Sequence, residues 1–406
     1  MTELISAADA RVKTLNAGKE EEQALVAVEI NKAATKGFFE TFIAKVSDEL
    51  IETLRGLGYV VNKVKKGVRI AWDYIAPEYK PVTSGAAVNE LLAGTDPVVY
   101  ATFDTSVTIN DGEIPTVPAG KELHVQIAEG ATISCAKTAF DVQDGGTLIL
   151  EGAGTIAATQ ASNGSLVQAT GKDAKVIIDG VTMDITTNLG NSTENYCVYL
   201  SEDASVEVKS GIMKTGAGAC ITTNNTTGGA SKIYIKGGEL YSNTAYAIYM
   251  PSQSNVEIIG GKVQGINARM GQFLIHGDAE IINTAQTAEA YDRIGNYITT
   301  SGMIWLGDTI AVLAGTYDDP NGTDLMIRVY ENAKVESDFR AAIGVYKLDT
   351  KQAQNVEVFV NNKANVTTTD EDFRAIMLYD HDYIAQDAEE CSKTYTPVAD
   401  STINMQ

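Results

Sequence analysis

The sequence predicts a mainly β protein: a right-handed parallel β-helix preceded by a small N-terminal α+β domain. Three observations carry that prediction. Short apolar-polar-apolar phrases ending in glycine recur at intervals of 23 to 30 residues, helical periodicity is confined to the first 75 residues, and the balance of charge changes at the same place.

The repeats decide the architecture. "KVIIDGVTM" (175–183), "SVEVKSGIM" (205–213), "KIYIKGGEL" (232–240) and "NVEIIGGKV" (255–263) align with Val176, Val206, Ile233 and Val256 in one column and Ile178, Val208, Ile235 and Ile258 in the next, at intervals of 30, 27 and 23 residues. Alternation with period two marks a strand with one buried face, and the glycine supplies a corner. A second phrase recurs between them: "YCVYL" from Tyr196, "ACITT" from Ala219 and "YAIYM" from Tyr246. Such a unit has several short strands and cannot bury its apolar face alone, so successive units must stack, at about 4.8 Å per rung. A β-sandwich would need tight hairpin signals between neighbouring strands, and these elements lie a whole repeat apart.

Along the chain, residues 1–75 read as an α+β module. "ARVKTLNAG" and "KEEEQALVAVEINKAATKG" are helical, with Leu25, Val28 and Ala33 at helical spacing and Gly37 as the stop. "SDELIETLRGLG" begins at Ser47, a good N-cap, and ends at Gly56 and Gly58; "YVVN" and "GVRIAW" then read as strands. Residues 76–97 read as a linker, because the prolines of "DYIAPEYKPVTSG" favour extended backbone and no periodicity crosses them. Residues 98–390 form the β-helix. "TVPAGKELHVQIAEGATISC" opens it with Leu123, Val125 and Ile127 inward, "GTLILEGAGTI" continues it, and "DFRAAIGVY" and "DFRAIMLYD" repeat at 34 residues near its end. Residues 391–406 are a C-terminal tail or cap.

Composition limits the rest. With 406 residues, 44% of them hydrophobic, and 36 glycines, the chain can bury a long turn-rich core. No run of 18 apolar residues exists, so no membrane insertion is expected. The opening "MTELISAADARVKT" lacks the basic and apolar regions of a secretory signal, and folding in a cytoplasm is expected. Four cysteines are too few and too scattered for a disulfide framework; Cys197 and Cys220 should fall in adjacent rungs, with free thiols favoured in a reducing compartment. Acidic and basic residues balance over residues 1–75, so the net charge of −22 falls on the remainder. Such a body repels nucleic acid.

The head, with "ISAADARVKTLNAG", "EINKAATKGFF", "LRGLGYVV" and "VRIAW", resembles a small module at the N terminus of structural proteins of tailed bacteriophages, in which fibre or spike bodies, often β-helical, follow. The repeats resemble those of pectate lyases, tailspikes and adhesins. The resemblance implies a virion protein made in the bacterial host cytoplasm: a head or tail fibre or decoration, docked to other virion proteins through residues 1–75. It implies a homotrimer displaying its β-helix to surface glycans, binding without turnover. The alternative is a tailspike depolymerase, a lyase or glycoside hydrolase; a bacterial adhesin would need an export signal.

Enzymes on this fold use outward carboxylates, or calcium with an Arg or Lys base. In "YDDPNGTD", Asp319, Asn321 and Asp324 offer oxygen ligands around Gly322, as a calcium loop does, although an Asx turn at a corner is the favoured reading. The acids of "TTTDEDF" read as a solvated turn, and in "YDHDY" alternation separates His381 from Asp380 and Asp382. His276 in "IHGD" reads as an edge residue, with Gly277 at the corner, and His124 completes the short list of histidines. The phrases of glycosidases with this fold, paired Asp before Gly-His-Gly and an Arg-x-Lys, are not found, so no catalytic or cofactor-binding residue is expected. By parity with inward Val198 and Ile248, Tyr199 and Tyr249 point outward, about 10 Å apart over two rungs. They suit an interface between packed rods, the favoured use, or stacking on sugars.

Overall fold

The structure is a computed structural model of the 406-residue chain and describes residues 7–37, 40–57, 59–65, 67–72, 77–158, 164–185, 195–216, 218–223, 229–242, 246–283, 310–315, 324–338, 341–346, 356–361, 363–369, 374–379, 385–386, 394–395 and 401–405. The chain divides into two units, Met1–Glu78 and Tyr79–Gln406.

The first unit is α+β. Helices α1 (Ala7–Thr35) and α2 (Asp48–Gly56) accompany an antiparallel sheet of β1 (Glu40–Ile43), β2 (Tyr59–Val64) and β3 (Gly67–Trp72), in the order β1-β3-β2. Ser47 caps α2, its hydroxyl accepting from the Leu50 N–H at 3.3 Å, and Glu22 of α1 accepts from the Ser47 hydroxyl at 2.6 Å. The core is Val26, Leu50, Ile51 and Leu54 against Ile43, Val61, Val68 and Ile70. Two expectations change. α1 is one continuous helix, and Val26 and Ile30, not Leu25 and Val28, form its inward stripe: Leu25 and Val28 are each 58% exposed. Strand β1 also joins the sheet, although "ETFI" is too short to show a period.

The second unit is a parallel β-solenoid. Rungs cross three faces in chain order: Val98–Phe103, Val107–Ile109 and Thr116–Val117, then Glu122–Ile127, Thr132–Cys135 and Phe140–Val142, and onward, with Lys175–Ile185 and Ser205–Thr215 each running as one strand over the first two faces. The third face is an eleven-stranded sheet whose strands run parallel until the last, Ala385–Gln386, pairs antiparallel with Ile376–Tyr379. The predicted columns are met residue for residue: Val176 pairs with Val206, Val206 with Ile233, and Ile233 with Val256. The column extends through Phe273, Ile327 and Val358, and each of these side chains is at most 3% exposed.

Rung length varies where the phrases are not alike. Val256 to Phe273 is the shortest step of the column, made of three strands and tight corners, whereas Phe273 to Ile327 is the longest in sequence. The "DFRA" repeat is also one residue out of register with the fold. Ile343 pairs with Ile376, because Ile343 and Val345 must face inward with Ile376, and a shift of one residue would turn the row outward.

Residues 76–97 are not a linker where described. Lys80–Pro81 (β4) pairs in parallel with Val98–Phe103 (β5), and Gly85–Leu92 forms helix α3, capped by the Ser84 hydroxyl accepting from the Ala87 N–H at 3.2 Å. Val88 and Leu92 are buried in the solenoid core, so the helix closes its first end. The prolines do extend the backbone, but that extension is used to add a strand. At the other end Thr394–Tyr395 and Ser401–Met405 pair antiparallel with Asn365–Thr368 and Val356–Val360, which makes the C-terminal segment a cap.

The corner between the first and second faces depends on left-handed backbone. At Gly211, with φ +106°, a Cβ would lie 2.3 Å from the Val181 carbonyl oxygen; Gly238 repeats this one rung later, 2.9 Å from the Gly211 carbonyl oxygen. Gly211→Ala should therefore cost at least about 1–3 kcal/mol and lower the melting temperature by several degrees. The control Ser210→Ala, which removes only a surface hydrogen bond to Asp179, should move it far less. Equal melting curves for the two variants would contradict this account of the corner.

Candidate functional site

Outward side chains stand in columns as regular as those inside. On the third face Gln168, Tyr199, Thr222, Tyr249 and Asn267 are successive partners, so Tyr199 and Tyr249 occupy one column with Thr222 between them, as their parity predicts. Both tyrosines are half-buried. The Arg269 guanidinium carbon lies 4.9 Å from the centre of the Tyr249 ring, a cation–π contact, and Tyr196 is 6.3 Å from Tyr199. Burial raises the Tyr249 phenol above its usual range, partly offset by Arg269. Thr222 and Asn267 are each only 2% exposed, and the Asn267 Oδ1 atom has no hydrogen-bond partner among the described residues.

A second grouping lies on the first face, toward the C-terminal end of the stack. His276 Nε2 is 3.0 Å from Glu257 Oε1 of the preceding rung, and its Nδ1 is 3.7 Å from Glu331 Oε2 of the following one. The Gly277 N–H donates to Glu331 Oε2 at 2.9 Å. Gly277 has φ +64°, so the predicted corner is there, but His276 also bridges rungs, with a carboxylate beside each ring nitrogen, as well as being an edge residue. Beside it opens a cavity of about 380 Å³ lined by Leu274, His276, Tyr330, Glu331, Asn361 and Lys363. The Tyr330 ring rests 5.2 Å from that of Phe359.

The same chemistry recurs at the other end in a fastening role. His124 Nε2 is 2.8 Å from Glu122 Oε1 and Nδ1 is 3.3 Å from Glu151 Oε1. Its ring lies 4.5 Å from Tyr100, whose ring is 5.3 Å from Tyr79, and the Tyr79 hydroxyl donates to Glu151. These contacts tie the segment before β4 to the first rungs.

Asp319 and Asn321 lie outside the described residues; Asp324 is exposed, and its carbonyl oxygen accepts from the Gly271 N–H at 3.2 Å. Among the described residues no group of three or more His, Cys, Asp or Glu side chains is arranged to hold a metal ion. His381, Asp380 and Asp382, and the acids of "TTTDEDF", also fall outside the described residues. The His276 grouping escaped the sequence reading because Glu257 and Glu331 belong to rungs of very different length. Only outward parity, counted through the fold, brings them together.

The fold and its surface define a capped parallel β-solenoid with a separate N-terminal α+β unit. No protein family, curated protein or solved structure matches the chain.

Cys135, Cys197 and Cys220 are fully buried and in no disulfide among the described residues, and Cys197 precedes Val198 as Cys220 precedes its partner Ile221, so the two lie in adjacent rungs as expected. Burial pushes the Cys135 thiol up to about 12 and the Cys197 thiol well above its usual range, the latter assisted by Cys220. Thiolate is the reactive form. Iodoacetamide at pH 8 should thus leave these three residues unlabelled in the native protein and label all three in guanidinium, as read by peptide mass mapping. Labelling of any of the three without denaturant would contradict this.

Proposed function

We propose that this chain is a structural protein of a tailed-bacteriophage virion, a head or tail fibre or decoration protein that docks through its N-terminal unit and displays the β-solenoid to surface glycans. One observation carries the docking half. Among the described residues the large exposed apolar side chains are Leu25, Val28, Phe42, Leu57, Val60, Val64 and Val98, and all but Val98 belong to the N-terminal unit. Phe42 and Val60 stand on the sheet face opposite the core, beside the Glu40–Arg69 ion pair. Phe42 is 61% exposed and Leu57 71%. A small unit that leaves this much apolar surface in water is suited to a partner surface. The glycan half is supported by the outward tyrosine column and by the cavity beside His276.

Particles assembled with a chain lacking residues 1–75 should lose the projection in electron micrographs. Phe42→Asp in the full chain should lower incorporation about tenfold or more, as expected for an apolar anchor. Normal projections in both cases would overturn the docking role. The chain should sediment as a trimer; a monomer at micromolar concentration would refute the trimer.

A second reading, a polysaccharide depolymerase, is favoured by one arrangement: carboxylates Glu257 and Glu331 flank His276 at the mouth of a cavity. New reducing ends or unsaturated products on incubation with host polysaccharide would favour it over binding alone.

A further inference from the structure

We propose that the cavity beside His276 is a subsite for one neutral pyranose ring of a polysaccharide. The proposal rests on the glycan-binding reading above and narrows it to a place and a sugar class. The volume, about 380 Å³, lies at the lower end of the range of small-molecule pockets. That suits a single ring with its substituents.

The lining divides as a pyranose does. Leu274 and Tyr330 give an apolar side, with Phe359 5.2 Å behind the Tyr330 ring, and can meet the C–H face of a sugar. Glu331, Asn361 and Lys363 give a polar side for the hydroxyl rim. The carboxylate accepts hydroxyl protons and the ammonium donates, so both hydrogen-bonding senses are available.

The polar side is organised before any ligand arrives. Glu331 is held by the Gly277 N–H at 2.9 Å and by His276, which is anchored in turn on Glu257 at 3.0 Å. Asn361 Oδ1 accepts from the Lys363 N–H at 3.1 Å, which fixes the turn that carries the lysine. Groups already in place do not have to be ordered on binding.

Charge of both signs around the site suits a neutral ring. The Glu331 side chain is 63% exposed at the cavity wall, with Glu257 41% exposed beside it, on a chain of net charge −22. Lys363 of the lining and Arg328, outward between Leu274 and Phe359, supply the opposite sign, and the hydroxyls of a neutral ring can use both signs as donors and acceptors. The site spans the strands Gly271–Ile275, Leu325–Val329 and Val356–Val360, at the end of the solenoid opposite the capping helix α3.

The test is saturation-transfer NMR on the full chain with the methyl glycosides of glucose, galactose, mannose, N-acetylglucosamine and glucuronic acid. Transfer to at least one neutral glycoside is expected, with affinity about tenfold weaker in Tyr330→Ala, as the loss of a stacked ring implies. Lys363→Ala, an exposed substitution that leaves the aromatic packing intact, should also weaken it, with an unchanged melting curve. Undiminished transfer in both variants would place the sugar elsewhere and sink this site while leaving glycan binding standing. Transfer to the glucuronide alone would overturn the neutral class. Silence with all five would refute the subsite, and if an array of intact polysaccharides were also silent, the glycan reading would go with it.

Discussion

The structure rests on strict registry between stacked strands. In a parallel ladder each residue faces its counterpart one rung below, so an inward apolar side chain must sit on another inward apolar side chain for the whole length of the stack. The columns from Leu123 through Val176, Val206, Ile233 and Val256 to Val358 meet that condition without interruption. Everything on the surface inherits it. Tyr199 and Tyr249 share a column only because Val198 and Ile248 share one on the other side of the sheet.

This explains which parts of the molecule could be read from the amino-acid order. Where rungs are written in nearly the same phrase, as in "SVEVKSGIM" and "KIYIKGGEL", apolar alternation and the corner glycine specify the pairing locally, and each pair was legible. Where the phrase is short or misleading, the information lies elsewhere. The "DFRA" repeat suggests one register, and inward packing of Ile343 and Val345 imposes another. The supposed linker gave little periodic signal because α3 is only eight residues long: Val88 and Leu92 cover the core with Ala87 and Leu91 packed beside them, and two turns are too few to stand out from the loops around them.

The surface chemistry was less legible for a related reason. The outward tyrosines could be predicted because their rungs are of regular length. The His276 bridge could not, since its partners come from a very short and a very long step around it. Sequence distance measures path length, whereas proximity on a solenoid depends on the number of turns. In the N-terminal unit, helical spacing found apolar residues on both sides of α1, but only the packed sheet distinguishes Val26, which it covers, from Leu25 and Val28, which it leaves open.

The closing strands carry a consequence for assembly. A stack of parallel rungs is an unfinished polymer, since its last edge presents the same pattern of donors and acceptors that received every earlier rung. In this chain the final segments turn back and occupy that edge with reversed polarity. The parallel pattern is therefore broken at that edge by strands of the same polypeptide.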